Sequence, residues 1–531
     1  MTVRPLPGPR RRPPGPPRAG SVTSGMLLGL VAWLVLPLTL LPLRAAPVPS
    51  WSLPRAGALF PGLLLCLAVG GAVGPLLQSV AGRLAAHRLA ARQAPGRRVV
   101  IVGGGFGGVA VARRLEQLLP RAPDLDVTLV SQSNYLLFTP MLSEVAAGSI
   151  QAGSIGAPLR AICPRTRFIR AQAVGLDPAS RAVLLRTPAG DEALHYDHLV
   201  LALGASADVN GLPGVAERAL PLKNLEDASR LRGHVLAQLE HADLTADPEE
   251  RRRLLTFVVV GGGFAGVEAI AGIASLVRSV LGYYPRIRRS EPRFVLVHSR
   301  DRILPELRAK VSRYAHEKLE ARGVEFRLNA RVIAAAEGAV ALGTGELLPA
   351  STLVWTTGNR PNPLLAELPL TQDGGAVLVD PTLRVAGTDG IWALGDCARV
   401  PDLERGGAPC PPTAQHALRQ GKAVAENLVA TTAGARPKAF RFRAKGFLVG
   451  LGHQTAAAQL RHLRVGGLPA LLIWRALYLS KLPGAEKRLR VLVDWALGFL
   501  FPRDTTLAGG TPSRARRLAR VSRRGENERV A

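Results

Sequence analysis

Two glycine-rich turns, each set between an apolar strand and a helix, constrain this chain more than any other feature. The first, Gly103-Gly104-Gly105-Phe106-Gly107-Gly108, follows RRVVIV and leads into VAVARRLEQLL. The second, Gly261-Gly262-Gly263-Phe264-Ala265-Gly266-Val267-Glu268, follows LLTFVVV and leads into GVEAIAGIASLVRSV. In this pattern the first glycine permits the tight turn out of the strand. The middle one lets a pyrophosphate approach the backbone, and the last lets helix and sheet pack closely. The helix N-terminus then offers amide donors and the positive end of its dipole. Gly103, Gly105 and Gly108, and likewise Gly261, Gly263 and Gly266, are therefore expected to bind two dinucleotides.

A second strand follows each helix, DVTLV and RFVLV, which completes two βαβ units and predicts an α/β fold with two Rossmann-like halves. Neither second strand ends in the acid that commonly takes the ribose hydroxyls. The first closes on Ser131 and Gln132, which hydrogen-bond a diol more weakly than a carboxylate. The second closes on His298, Ser299 and Arg300, and Arg300 is able to take a 2′-phosphate, so NADH and NADPH both remain open. HLVLALGAS (198–206) and TLVWTTGNRPNP (352–363) are each a strand running into a glycine turn, at Gly204 and Gly358, and suit crossovers between two nucleotide domains. GIWALGDCA (390–398) is a strand followed by Gly395 and Asp396. An aspartate there can bind a ribityl or phosphate-linked hydroxyl, with a following helix N-terminus facing the ligand.

Outside these units, charge and apolarity are unevenly spread. Lys and Arg outnumber Asp and Glu by 68 to 39, a formal charge of +29, which calls for an anionic partner. No nucleic-acid motif accompanies the arginines, and they cluster beside the most apolar stretches, which favours anionic lipid. The run Met26 to Leu43 lacks any ionisable residue and, as a helix, is roughly 27 Å long, close to a bilayer's hydrocarbon thickness. A second uncharged run lies between Arg55 and Arg83. Together they predict a transmembrane hairpin; a signal peptide is the alternative reading of the first run. Five arginines precede the hairpin, two lie in its loop and five follow closely, so the positive-inside rule puts both ends in the cytoplasm of a cell-membrane protein. Residues 467–504 mix Trp, Leu and Phe with Arg and Lys at helical spacing. That predicts an interfacial helix with aromatics at headgroup level, an amphipathic helix packed on the core being the alternative. Seven arginines after Ser513 read as a disordered basic tail.

Only four cysteines occur, with no C-x-x-C or C-x4-C pair, so neither a disulfide framework nor a metal site is expected. A disulfide reductase of this architecture needs such a pair after the first fingerprint helix, and that chemistry is excluded.

The order of fingerprint, ALGA, second fingerprint, TTG and GD resembles the two-dinucleotide-binding-domain flavoproteins. Within them the chain most resembles the type II NADH:quinone dehydrogenases, single-subunit respiratory enzymes that do not pump protons. The narrower match rests on NYLLFTPMLSEVAAGSI (134–150), PPTAQHALRQG (411–421), AKGFLVGLG (444–452) and SKLPGAEKRLRVLVDWALGFLFPRD (480–504).

The resemblance implies FAD on the first fingerprint, with Phe106, Gly107, Ser131, Gly204, Gly395, Asp396 and Ala398 around it, and NADH on the second, with His298 and Gly358. It implies Asp396 on the ribityl chain, Thr139 and Pro140 beside the isoalloxazine, Glu268 near the nicotinamide and Lys445 near the flavin. Ala414, Gln415 and Ala417 correspond to the family's quinone motif, with Gln415 at the headgroup. Where the family often has two adjacent glutamines, this chain has Arg419 and Gln420.

On this reading the chain divides into a basic arm (1–25), a two-helix hairpin (26–82), a FAD-binding domain (97–224 and 364–430), an NAD(P)H-binding domain (225–363), a membrane-attachment region (431–505) and a basic tail (506–531). A membrane quinone and anionic lipid are the expected partners, nucleic acid is not, and a homodimer is left open. Two rival readings are a sulfide:quinone oxidoreductase using Cys163 and Cys397, and a membrane-tethered flavin sensor without turnover.

Overall fold

The computed structural model describes residues 4–5 and 96–507, except 209–210, 444–445, 453 and 461–462. The expected hairpin (26–82), Lys445 and most of the basic tail lie outside the described residues.

Helix α1 (Phe106–Leu118) follows the central strand of a five-stranded parallel sheet. Its strands run in the order Ile391–Ala393, His198–Leu201, Arg97–Val102, Leu125–Ser131, Arg167–Arg170. The return of residues 391–393 to the edge of this sheet makes the first domain discontinuous in sequence. An antiparallel three-stranded sheet spanning residues 172–195 covers it, an element that the alternating strand and helix pattern did not announce.

Helices α2 (Leu225–Leu244) and α3 (Phe264–Val280) belong to a second parallel sheet of five strands. Its order is Leu220–Pro221, Thr352–Trp355, Thr256–Val260, Arg293–Val297, Val324–Arg327, again with the fingerprint strand in the middle. All five residues of Thr256–Val260 are buried. That is why the sequence there is a continuous apolar run rather than an alternating one, since helices and loops cover both faces. Among the described residues one helical stretch, Phe264–Tyr283, is long and apolar enough to cross a membrane, but it is the fingerprint helix, largely buried in this core.

The two crossovers pair with each other: Ala205–Ala207 runs antiparallel to Asn359–Pro361, with Ser206 opposite Arg360. Gly204 and Gly358 begin these strands at φ of 67° and 69°. A side chain at Gly358 would meet the Asp208 carbonyl at 2.9 Å.

Helix α4 (Ala414–Thr432) packs along α1. The contact is close because Gly421 lies over the Gly107 carbonyl, where an added Cβ would be at 2.5 Å. Beyond it come a three-stranded antiparallel sheet (446–466) and helices α5 (Gly467–Lys481) and α6 (Ala485–Leu500). The sequence reading treats 467–504 as one helix. The structure has two, broken at Leu482-Pro483-Gly484, with Gly484 at φ 92°. Nor do the tryptophans sit at an outer surface. Trp474 and Trp495 are 2% and 6% exposed and join the core of the second domain. The outward apolar residues of α6 are aliphatic instead, Leu489, Leu492, Val493, Leu497 and Leu500, with Phe499 and Phe501 at its end.

Candidate active site

Each fingerprint turn is built as its glycines require. Gly103 has φ 121° and its Cβ position lies 2.1 Å from the Ala202 carbonyl, while a Cβ at Gly108 would lie 1.9 Å from the Gly103 carbonyl. Gly105, the N-cap of α1, faces open space with nothing within 4 Å. The second turn repeats this: Gly261 at φ 116°, Gly266 with a Cβ position 1.8 Å from the Gly261 carbonyl, and Gly263 open. Both helix N-termini thus leave room for a phosphate to approach the backbone of their first turns.

The strand-end residues take up different roles. Ser131 lies beneath the first turn, its Oγ 2.6 Å from where a Gly104 Cβ would be. His298 Nδ1 accepts the Gly262 N–H at 3.1 Å, which places the ring proton on Nε2. That Nε2–H is buried without a partner, a donor left for a ligand at the second turn. Burial and the nearby Arg300 lower the His298 pKa, so the ring is a neutral donor.

Gly395 (φ 73°) and Asp396 form a turn, but no helix follows directly as the sequence reading expected. A short bridge at Ala398–Arg399 and a hairpin of 401–402 with 408–409 intervene before α4, whose N-cap is Thr413. The motif on α4 is divided by the helix geometry. Gln420, 1% exposed, accepts the Gly395 N–H at 2.8 Å, and Ala417 packs 3.7 Å from a Gly395 Cβ position. Gln415 turns the other way. It donates to the Gly446 carbonyl at 3.2 Å and lines a cavity of about 280 Å³ with His416, Phe442 and Phe447; Ala414, Ala417 and Gln420 do not line it.

Lys223, just before α2, was missed by the sequence reading. Its Nζ bonds Asn359 of the crossover, and its charge acts on Asp396. Burial pushes the Asp396 carboxyl up and the Lys223 ammonium down, each held against the shift by the other. No local motif marks Lys223; its role comes from the domain closure that brings residues 223 and 396 together. Thr139 and Pro140 lie in a single 3-10 turn beside Phe138, whose ring stands edge-on to both Phe106 and Tyr478, 5.9 Å from each.

Glu268, in the first turns of α3, accepts the Gly450 N–H at 2.9 Å. Strand Gly446–Gly450 is therefore gripped by Gln415 at one end and Glu268 at the other, while Phe447 between them stacks on Phe264 at 5.8 Å. Enclosure of its carboxyl pushes Glu268 up to about 8, with Glu144 adding to the rise. Glu144 is raised by burial too, against a hydrogen bond from Trp495 Nε1 at 2.7 Å and the charges of Arg475 and Arg503. Both glutamates border an open groove of about 2570 Å³. Only Glu268 was singled out from sequence. Glu144 depends on a partner 351 residues away.

Cys163 and Cys397 are free and buried at 3% and 0% exposure. Burial pushes them up to about 12 and about 11, and Cys397 Sγ already donates to the Leu394 and Leu201 carbonyls. Thiols so held stay protonated and inert, which removes the observation on which a redox-cysteine chemistry would rest.

This arrangement has counterparts. Residues 97–421 match the pyridine nucleotide-disulphide oxidoreductase family, and residues 445–504 match the NDH2 C-terminal domain. The type II NADH:quinone oxidoreductase Ndh of Mycobacterium tuberculosis is 32% identical over 422 residues, 76% of this chain and 89% of the relative. The mitochondrial external NADH-ubiquinone oxidoreductase 2 of Saccharomyces cerevisiae is 27% identical over 460 residues, 77% and 82% of the two chains. Among solved structures, NDH2 of Plasmodium falciparum in complex with NADH superposes with a TM-score of 0.71 at 19% identity, covering 77% of this chain and 99% of that one. The sulfide:quinone oxidoreductase of Aquifex aeolicus shares the fold more distantly, with a TM-score of 0.58 at 22% identity over 72% and 90%.

Proposed function

The chain belongs to the type II NADH:quinone oxidoreductases, FAD-dependent enzymes, and we infer that it works as a membrane-attached flavoprotein passing a hydride from NADH to FAD and two electrons onward to a membrane quinone, without pumping protons. The observation that carries this reading is the packing of three features on one another. The first fingerprint meets α4 at Gly107 and Gly421, the Gly395–Asp396 turn is held by Gln420, and Gln415 on the same helix lines the cavity beside Phe447.

The residues fit FAD: a turn that a Cβ at Gly103 or Gly108 would block, an open helix N-terminus, and Asp396 and Lys223 facing one another at partial burial. Gly103, Gly105 and Gly108 would hold the pyrophosphate and Asp396 the ribityl chain, with Thr139 and Pro140 beside the ring. Bound there, the flavin supplies the hydride acceptor, and the protein's part is alignment. His298 Nε2–H offers a neutral donor to the adenosine end of NADH. Gln415 orients the quinone ring. Glu268, protonated near neutral pH, would lie near the nicotinamide and holds its proton at the far end of strand Gly446–Gly450 from the Gln415 cavity.

Steady-state assay of the extracted protein with NADH, NADPH and a short-chain quinone tests this reading. NADH is expected to bleach the flavin and quinone to restore it with sustained turnover. A flavin that stays reduced after quinone addition would sink the proposal, and stoichiometric reduction without turnover would leave a sensor.

Membrane attachment through the C-terminal region is part of the same proposal. The exposed face of α6 carries Leu489, Leu492, Val493, Leu497 and Leu500, with Lys487, Arg488 and Arg490 at its start, which suits an apolar face in the acyl boundary and cations at lipid phosphates. The arginine counts around residues 26–82 support a cytoplasmic side for the catalytic domains. Burying one leucine contributes about 1.5–3 kcal/mol. The pair Leu492→Glu and Leu497→Glu is therefore expected to lower turnover of a long-tailed quinone in vesicles by at least about tenfold, at unchanged rate with a water-soluble quinone. Equal loss with both quinones would place these residues in the catalytic fold rather than at the lipid.

A further inference from the structure

Three potential metal ligands from separate segments converge beside the Gln415 cavity. Asp402 and His416 are buried and Cys410 is half-buried, and one ligand atom of each lies within 4.8 Å of the others. No spacing signal in the sequence marks them, because 402 and 410 lie on the two sides of a hairpin and 416 in the first turn of α4.

Each is held by its own backbone. The Asp402 carbonyl accepts the Arg405 and Gly407 amides at 3.0 and 2.9 Å, and its Oδ1 accepts the Glu404 N–H at 3.0 Å, which leaves Oδ2. Cys410 is pinned by its N–H to the Val400 carbonyl at 2.9 Å, and its sulfur is a hydrogen-bond neighbour of Gln420. His416 is anchored twice by Thr413: Oγ1 accepts the backbone N–H at 3.3 Å and meets ring Nδ1 at 2.7 Å. An imidazole whose Nδ1 is fixed by an oxygen partner is oriented as metal-bound histidines usually are, with Nε2 as the coordinating atom. The other acid nearby, Glu404, is already engaged by Arg441 and Arg443 and is not a competing ligand.

We propose that Asp402, Cys410 and His416 form a binding site for a thiophilic divalent cation, Zn²⁺ by preference, with its fourth position open to the cavity lined by Gln415. One thiolate, one imidazole and one carboxylate are the ligand types zinc takes. Bond lengths of about 2.0–2.3 Å imply ligand separations of about 3.5 Å, so the three atoms close by about 1 Å around the ion, within reach of the Asp402 and Cys410 side-chain torsions. Asp402 and His416 both line the 280 Å³ cavity, which leaves room for a water or an external donor on the fourth side. The ion would tie the 401–409 hairpin to the start of α4. Through Gln420, which touches Cys410 and accepts from Gly395, the same tie reaches the Asp396 turn. The site does not depend on what Gln415 binds.

The test uses the flavin-loaded full chain, stripped with a chelator and then titrated with Zn²⁺ alone. We expect one zinc retained per chain, and an X-ray absorption spectrum with one sulfur neighbour at about 2.3 Å and nitrogen or oxygen neighbours at about 2.0–2.1 Å. Cys410→Ser and Asp402→Asn are each expected to weaken binding by at least the ten- to hundredfold that loss of an outer-shell partner costs. Cys163→Ala serves as the control and leaves binding unchanged. A zinc shell without sulfur overturns the proposal on the unsubstituted protein, whatever the variants do. So does an affinity unchanged by Cys410→Ser in protein that keeps its full flavin content.

Discussion

Gly266→Val is expected to keep its FAD and lose at least about a hundredfold in the rate at which NADH reduces it, whereas Gly108→Val is expected to lose the FAD itself. The argument is steric and the same for both. A Cβ at residue 266 would lie 1.8 Å from the Gly261 carbonyl oxygen and 2.7 Å from Thr356 Oγ1, and one at residue 108 lies 1.9 Å from the Gly103 carbonyl. The nearest obstructing atom in each case is a backbone carbonyl oxygen, so neither clash is relieved by a rotamer. The helix must lift off its strand, carrying away the amides that face the phosphates. Overpacking of this kind costs about 1–3 kcal/mol, and a loss of about 2.7 kcal/mol in ligand binding is a hundredfold. Because the two turns sit in separate sheets, the losses fall on separate ligands. Flavin content is read from absorbance, NADH reduction by stopped flow, and a chemical reductant followed by quinone shows whether the flavin in Gly266→Val still discharges. Loss of flavin in Gly266→Val with retention in Gly108→Val would reverse the assignment of the two sites.

The parts of this protein that were legible in its sequence are those whose physics is local. RRVVIV and RFVLV are the strands Arg97–Val102 and Arg293–Val297 to the residue, because the buried part of each parallel strand, residues 99–102 and 294–297, is written as an unbroken apolar run. The glycine turns were equally plain, since glycine alone readily takes the φ near 120° of Gly103 and Gly261, where a Cβ would lie 2.1 Å from the Ala202 carbonyl and 2.6 Å from Thr356 Oγ1. What could not be read locally is the closure of distant segments on each other. Lys223 gains its role from Asp396 and Asn359, Glu144 from Trp495, and Asp402 from Cys410 and His416. The placing of the tryptophans of 467–504 at headgroup level failed for a related reason. Trp474 and Trp495 have the composition of a headgroup belt, but Arg475 covers the Trp495 ring at 4.7 Å and both indoles fill the core against the second domain. Helical spacing shows that residues share a face and not whether protein or lipid covers it. The α4 motif shows the same limit at finer scale: its glutamines at 415 and 420 are five residues apart, and the helix sends one to the cavity and the other to the Asp396 turn.

Glu268→Gln is expected to slow quinone reduction by at least about tenfold, the loss of a proton supplied to the site from the far end of strand Gly446–Gly450, and to abolish a decline in the parent's rate as pH rises through about 8. The sign follows from burial. An enclosed carboxyl at about 8 is neutral at pH 7 and carries the proton the quinol needs; above that it is charged and empty. Its surroundings are mixed. The Gly450 N–H favours the charged form, while Glu144 opposes it, and Arg475 and Arg503 act on Glu144 from the C-terminal region. The two carboxyls therefore titrate as a pair, and Glu144→Gln, which removes the opposing charge, should move the inflection to lower pH. Folding is linked in the same direction. A carboxyl whose folded pKa is raised contributes stability below its unfolded value of 4.5, and that contribution is lost as pH rises through about 8. The parent should thus lose thermal stability as pH rises from about 4.5 to about 8, and Glu268→Gln should lose less over that window, although it is the slower enzyme. Opposite movements of rate and of this pH-dependent stability in one variant are hard to obtain from a merely structural residue. If Glu268→Gln instead lowered both the rate and the melting temperature at every pH while the inflection near 8 persisted, the proton would have to come from another group.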